Sequence, residues 1–113
     1  MVYHLIYSPI AADDLDRVWD EVWEASLSFD TADKYVEDLR NALIQKKKYP
    51  RTGSPLTYMG ELTGLYSVTF KEYMAFYRIH GDAIEVARVL YSRSDYMKTL
   101  FGKSEYALED DED

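Results

Sequence analysis

Tyr91, Arg93 and Tyr96 fall within one short stretch near the end of the chain, and Arg78 and Arg88 precede them closely. A guanidinium presents a rigid fork of donors that matches a phosphate. A phenol donates a proton, and becomes a base only when neighbouring cations lower its pKa from about 10. Arg93, Tyr96 and Tyr91 are therefore candidates for binding an anionic group and moving a proton at it, with Arg78 and Arg88 as further phosphate-binding or partner-binding cations.

Each of these residues also has a role in holding a fold. Arg78 sits in a half-buried strand opposite Glu85, where unlike charges support a sheet, and Arg88 follows the same logic. Tyr96 joins an apolar body to a polar tip and suits packing. Arg93, just past a strand, stands in the connecting position where functional side chains concentrate.

The elements that would position these groups follow from periodicity. Val2 to Tyr7 is rich in β-formers and ends at Ser8-Pro9, a helix start. Leu15, Val18, Trp19, Val22 and Trp23 recur at helical spacing, and the two Trp are expected in the core. After a capping-competent break at Ser28 to Thr31 the period returns with Ala32, Tyr35, Val36, Leu39, Ala42 and Leu43. Two helices thus form an antiparallel hairpin. Lys46, Lys47 and Lys48 lie where cations oppose the negative helix end, and Pro50 and Gly53 stop the element.

Thr52 to Thr63 reads as loop. Tyr66 to Phe70, Tyr73 to His80 and Ala83 to Tyr91 read as three strands, joined by a poor turn pair at Lys71-Glu72 and a good one at Gly81-Asp82. Asp95 to Phe101 reads as a short helix capped by Ser92 or Ser94, with Ser92 and Asp95 at capping-box spacing. The fold class expected is α+β: an N-terminal strand and a two-helix hairpin packed on a small antiparallel sheet, with a short C-terminal helix.

Composition removes several classes of function. The chain has 113 residues, enough for one domain with its own core. It contains no Cys and two isolated His, His4 and His80, so disulfides, thiolate chemistry and metal or other cofactors are not expected. No run of about 18 apolar residues occurs, and the N-terminus lacks signal-peptide features, so no membrane partner and a cytoplasmic location are expected. The formal net charge of −8 opposes free nucleic-acid binding. Glu109 to Asp113 supply five of the 21 acids, however, and without them the balance is 13 basic against 16 acidic residues. Residues 1–103 are read as the domain and 104–113 as an acidic, disordered, solubilising tail.

The chain resembles the RelE/ParE toxin superfamily over about residues 2–101, with the ParE-like branch favoured. The echoes are Ser8-Pro9, Ala11-Ala12 and Asp14-Leu15 with Val18; Tyr35, Val36 and Leu39; Pro50 to Gly53; and Phe76-Tyr77-Arg78-Ile79 with Gly81-Asp82, Ile84-Glu85-Val86 and Arg88-Val89-Leu90. Departures matter as much. Tyr66 and Ser67 follow Gly64-Leu65 where many relatives carry Arg, Met74 follows Tyr73 where RNA-cleaving relatives carry Arg, and Tyr91 stands in the place of a His.

The resemblance implies the toxin of a type II toxin–antitoxin, or plasmid-stabilisation, system. Such a toxin binds a cognate antitoxin as a hetero-oligomer or homo-oligomer and serves bacterial stress response. With cations missing, it implies inhibition of DNA gyrase by binding and no enzymatic step. The alternative it leaves is a ribosome-dependent mRNA endonuclease using Arg93, Tyr96 and Tyr91. A second alternative is a non-toxic member that survives as an antitoxin-binding module.

Overall fold

The computed structural model describes residues 2–104. The tail read at 104–113 therefore lies, apart from Ser104, outside the described residues. Strand β1 (His4–Tyr7) leads into helix α1 (Pro9–Ser26). The Ser8 hydroxyl accepts from the Ala11 N–H and Pro9 occupies the first turn, where its missing donor costs nothing. Ser28 caps helix α2 (Phe29–Ile44) by accepting from the Thr31 N–H. Two 3-10 turns, Gln45–Lys47 and Pro50–Thr52, then carry the chain to strand β2 (Ser54–Tyr58).

Strands β3 (Glu61–Phe70), β4 (Tyr73–His80) and β5 (Ala83–Tyr91) follow, and helix α3 (Tyr96–Phe101) is the last element among the described residues. The sheet order is β1-β5-β4-β3-β2. β1 runs parallel to β5, with Leu5 opposite Ile84 and Tyr7 opposite Val86, whereas the other neighbours are antiparallel. The helical hairpin carries the chain from one edge of the sheet to the other.

Two apolar clusters lie on the two faces of the sheet. Leu15, Val18, Leu39 and Leu43 of the hairpin pack against Tyr77, Ile84, Val86 and Val89. On the other face Leu56, Leu65, Phe76 and Leu90 are covered by Tyr96, Met97, Leu100 and Phe101 around α3. The short helix thus closes a second core. Among the described residues no helix is long and apolar enough to cross a membrane.

The structure corrects three sequence expectations. Thr52 to Thr63 is not a loop: it supplies β2 and the start of β3, joined at Met59 and Gly60, both with positive φ as a type I′ turn requires. Pro55 is compatible with β2 because this strand is the sheet edge, and Leu56 is its buried anchor. The C-terminal helix is capped by Asp95, which accepts from the Lys98 N–H, while the Ser94 hydroxyl turns back to the Tyr91 carbonyl. Trp19 and Trp23 are half-buried and stack on the exposed Phe29 near the start of α2 instead of entering the core. Lys71 adopts the left-handed region at φ 52°, the strain by which a poor turn pair still closes the β3–β4 hairpin.

Pro50 and Gly53 do more than stop a helix. Tyr77 is completely buried and its hydroxyl donates to the Pro50 carbonyl. A Cβ at Gly53 would collide with that hydroxyl and crowd the Ser67 carbonyl. Overpacking of this kind costs about 1–3 kcal/mol, so Gly53→Ala should lower the urea midpoint. Adding Tyr77→Phe, which removes the colliding oxygen, should give a double variant less destabilised than the sum of the two single changes. Additive losses would refute the collision.

Candidate functional site

Asp14 is the buried charge among the described residues. It lies three residues after Ala11 and four before Val18, on the apolar face of α1, and is 2% exposed. Its carboxylate accepts from Arg88 Nε at 2.8 Å and Nη2 at 3.1 Å, from Arg17 Nη1 at 2.8 Å and from the Val89 N–H at 2.9 Å. Arg17 Nη2 donates in turn to the Val89 carbonyl at 2.9 Å. Burial works to raise the Asp14 pKa, but the hydrogen bonds from Arg88, Val89 and Arg17 outweigh it and hold the carboxyl below its usual range. The same hydrogen bonds raise Arg88, so both groups stay ionised.

This arrangement explains why Arg88 does not pair across the sheet as expected. Phe76 lies opposite Arg88 and Tyr77 opposite Val86, so Ala87 is an extra residue on β5, a β-bulge. Bulges re-aim side chains, and here the guanidinium reaches α1. With 24% of its side chain exposed and its fork taken by Asp14, Arg88 is placed as a positioning cation. Arg78 keeps the cross-strand partner expected of it, with its Nε 3.6 Å from Glu85 Oε1 and half of its side chain in solvent.

The fold keeps Arg93 and Tyr96 on one groove and sets Tyr91 apart from them. Arg93 is exposed and lines an open groove of about 480 Å³ with Ser92, Ser94, Asp95, Tyr96, Met97 and Ser104. Tyr96 lines the same groove, but its ring leans on Phe76 with centroids 5.3 Å apart. Tyr91 belongs to the opposite face, where it meets Tyr73 edge-on at 5.8 Å. Tyr73 in turn meets Tyr35 edge-on at 6.0 Å, and Lys71 lies 5.0 Å from the Tyr35 ring centroid. A base at Tyr91 and an acid at Tyr96 would thus approach a phosphate from different sides of the sheet.

Tyr73 carries a further polar lock, since its hydroxyl donates to Glu21 Oε1. Burial and the adjacent Glu21 carboxylate push its pKa well up, so the phenol stays neutral. The sequence offered a signal for Asp14, an acid inside an apolar helical period, but no spacing rule pointed from it to Arg88 across the fold.

The comparisons with known proteins extend this picture. Residues 5–96 match the family model described as ParE toxin of type II toxin-antitoxin system, parDE. A chromosomal ParDE toxin–antitoxin structure from P. aeruginosa is similar at 21% identity, with 80% of this chain and 96% of that chain covered and a TM-score of 0.67. The E. coli toxin RelE, as a mutant in the free state, is similar at 16% identity over 88% of this chain and 93% of that one, with a TM-score of 0.62. The RelBE2 toxin–antitoxin complex from Mycobacterium tuberculosis reaches 21% identity over 80% and 99%, with a TM-score of 0.52. No curated protein sequence matches significantly.

Two measurements test the assignments of Asp14 and Arg93. Asp14→Ala strands Arg17 and Arg88 and should cost about 3 kcal/mol, the low end for a broken buried pair because both guanidiniums keep some solvent. Because the folded pKa of Asp14 lies below the unfolded value of about 3.9, its stabilisation is present above that pH and is lost as pH falls through the folded pKa. Acid denaturation of Asp14→Ala should therefore be shallower than that of the parent. Arg93→Ala removes an exposed side chain and should change stability by less than about 0.5 kcal/mol. The match over residues 5–96 and the shared fold, with its hairpin, five-stranded sheet and terminal helix, place this chain in the ParE toxin family of type II toxin–antitoxin systems.

Proposed function

We propose that the chain is a ParE-like toxin that inhibits DNA gyrase by binding, with no hydrolytic step, and that a cognate antitoxin neutralises it. The observation that carries this reading is the separation of Tyr91 from the groove that Arg93 and Tyr96 share. Tyr91 faces the helical side, Tyr96 packs on Phe76 and Arg88 is held by Asp14, which leaves Arg93 as the exposed cation of the groove. General acid–base catalysis requires both proton-transfer groups within hydrogen-bond reach of one substrate. Inhibition by binding asks only for a complementary surface.

Antitoxin binding rests on the family and on the shape of the molecule. The P. aeruginosa and M. tuberculosis relatives are toxin–antitoxin systems. In this chain β2 forms one edge of the sheet, and an exposed edge is a template for an added strand. Leu27, Phe29 and Ile44 supply exposed apolar area on the hairpin for an amphipathic segment. A cytoplasmic location agrees with the targets proposed.

Inducing the chain without its antitoxin, while following growth, plasmid supercoiling and mRNA integrity together, tests the proposal. Growth arrest with lost supercoiling and intact transcripts is the expected result. Codon-positioned cuts in mRNA that disappear with Arg93→Ala would replace it with the endonuclease reading. Unimpaired growth would leave an antitoxin-binding module.

A further inference from the structure

Helices α1 and α2 hold ten acids and three cations, whereas residues 45–60 hold Lys46, Lys47, Lys48 and Arg51 and no acid. The acidity of the chain is therefore carried outside one short cationic segment. Lys46 and Lys47 lie in the 3-10 turn that continues α2, where cations offset the negative end of a helix. Lys48 and Arg51 lie beyond that turn and line an open groove of about 420 Å³ with Tyr3, Tyr49, Pro50 and Thr52. Helix-end compensation does not explain them.

The segment is braced through its backbone. The Tyr3 N–H donates to the Lys47 carbonyl at 2.8 Å, Lys46 Nζ to the Thr52 hydroxyl at 3.0 Å, and that hydroxyl to the Tyr49 carbonyl at 2.7 Å. Pro50 is buried, with its carbonyl taken by Tyr77. These bonds leave the side chains of Lys48, Tyr49 and Arg51 in solvent, and Tyr49 is 64% exposed. Among the described residues no carboxylate pairs with Lys47, Lys48 or Arg51.

We propose that this groove binds a single-stranded nucleic acid, with Lys48 and Arg51 on phosphates, Lys47 beside them, and the Tyr49 ring as a stacking surface for a base. A cationic groove that follows the backbone, with an aromatic ring for the bases, is what sequence-tolerant binding of a single strand requires. An acidic peptide would satisfy the cations and leave the Tyr49 ring in water, so the exposed ring favours the nucleic acid. The groove is not that of Arg93. Tyr3 precedes β1, whose His4 lies opposite Ala83 at the start of β5, whereas Arg93 follows the end of β5. The length of that nine-residue strand, about 30 Å, separates the two. Binding here is independent of whether gyrase is the target.

Fluorescence anisotropy of the full chain with a labelled oligothymidylate of about 12 nucleotides tests the proposal. Affinity should fall about tenfold as salt rises from about 50 to about 150 mM, following the logarithmic slope of about −2 expected for three phosphate contacts on a single strand. Lys48→Gln combined with Arg51→Gln should reduce that slope to about −0.7. Tyr49→Ala should weaken binding about tenfold and leave the slope unchanged. Thermal midpoints of these variants should match the parent, because the three side chains are exposed. A matched oligouridylate distinguishes DNA from RNA as the source of the same phosphates and bases. Affinity and slope unmoved by both sets of substitutions would overturn the proposal, and so would loss of binding in Arg93→Glu. A duplex of equal length bound as tightly as the single strand would also overturn it, leaving attraction by charge alone. Tighter binding of poly-glutamate that is indifferent to Tyr49→Ala would assign the groove to an acidic peptide instead.

Discussion

The Asp14 carboxylate joins the two layers of this molecule, and much of the structure is arranged so that its charge can be buried. β1 covers the outer edge of β5 only as far as Val86. Beyond that point side chains from the start of α1 take over, with Ser8 on the Ala87 carbonyl, Asp14 on the Val89 N–H and Arg17 on the Val89 carbonyl. They do for β5 what another strand would do. A helix can replace a strand in this way only if it presents both an acceptor and a donor at the right height, and the i, i+3 spacing of Asp14 and Arg17 provides them.

That constraint reshapes the electrostatics of the sheet. A buried carboxylate needs a cationic partner, and Arg88 supplies it because the bulge at Ala87 turns it toward the helix. A residue that would otherwise add positive charge to an open surface is consumed in joining secondary structure. The same economy applies to Tyr73, whose phenol is spent on Glu21 of α1, and to Tyr77, spent on Pro50. Three polar groups of β4 and β5 thus hold the helices and the loop, and the open groove by α3 retains Arg93 as its exposed cation.

The two faces of the sheet consequently differ in kind. The helical face is a thick core sealed by polar locks, whereas the α3 face is a thinner one whose lid is six residues long. A helix so short has little stability of its own and depends on the Phe101–Tyr58 stack and the Asp95 cap. The groove therefore sits beside the more thinly supported face of the sheet.

Local sequence alone determined the two helices, their caps at Ser8 and Ser28, the strands ending at Phe70, His80 and Tyr91, and the family resemblance. In each case the information is a period of 3.6 or 2, or a turn residue, within a few positions. β2 was illegible because Pro, Gly and Ser punctuate it, and only its place at the sheet edge makes such a strand tolerable. The parallel pairing of β1 with β5 joins segments some 80 positions apart, which no window of sequence can see. The positions of the candidate residues depend on the fold in the same way. Arg78, Arg88, Tyr91, Arg93 and Tyr96 look like one cluster along the chain, but strand alternation and the bulge give Arg78, Arg88 and Tyr91 other partners, and only Arg93 and Tyr96 share the groove by α3. Residue types are local properties, whereas the partner of a buried charge is decided by whatever the tertiary fold brings within about 3 Å of it.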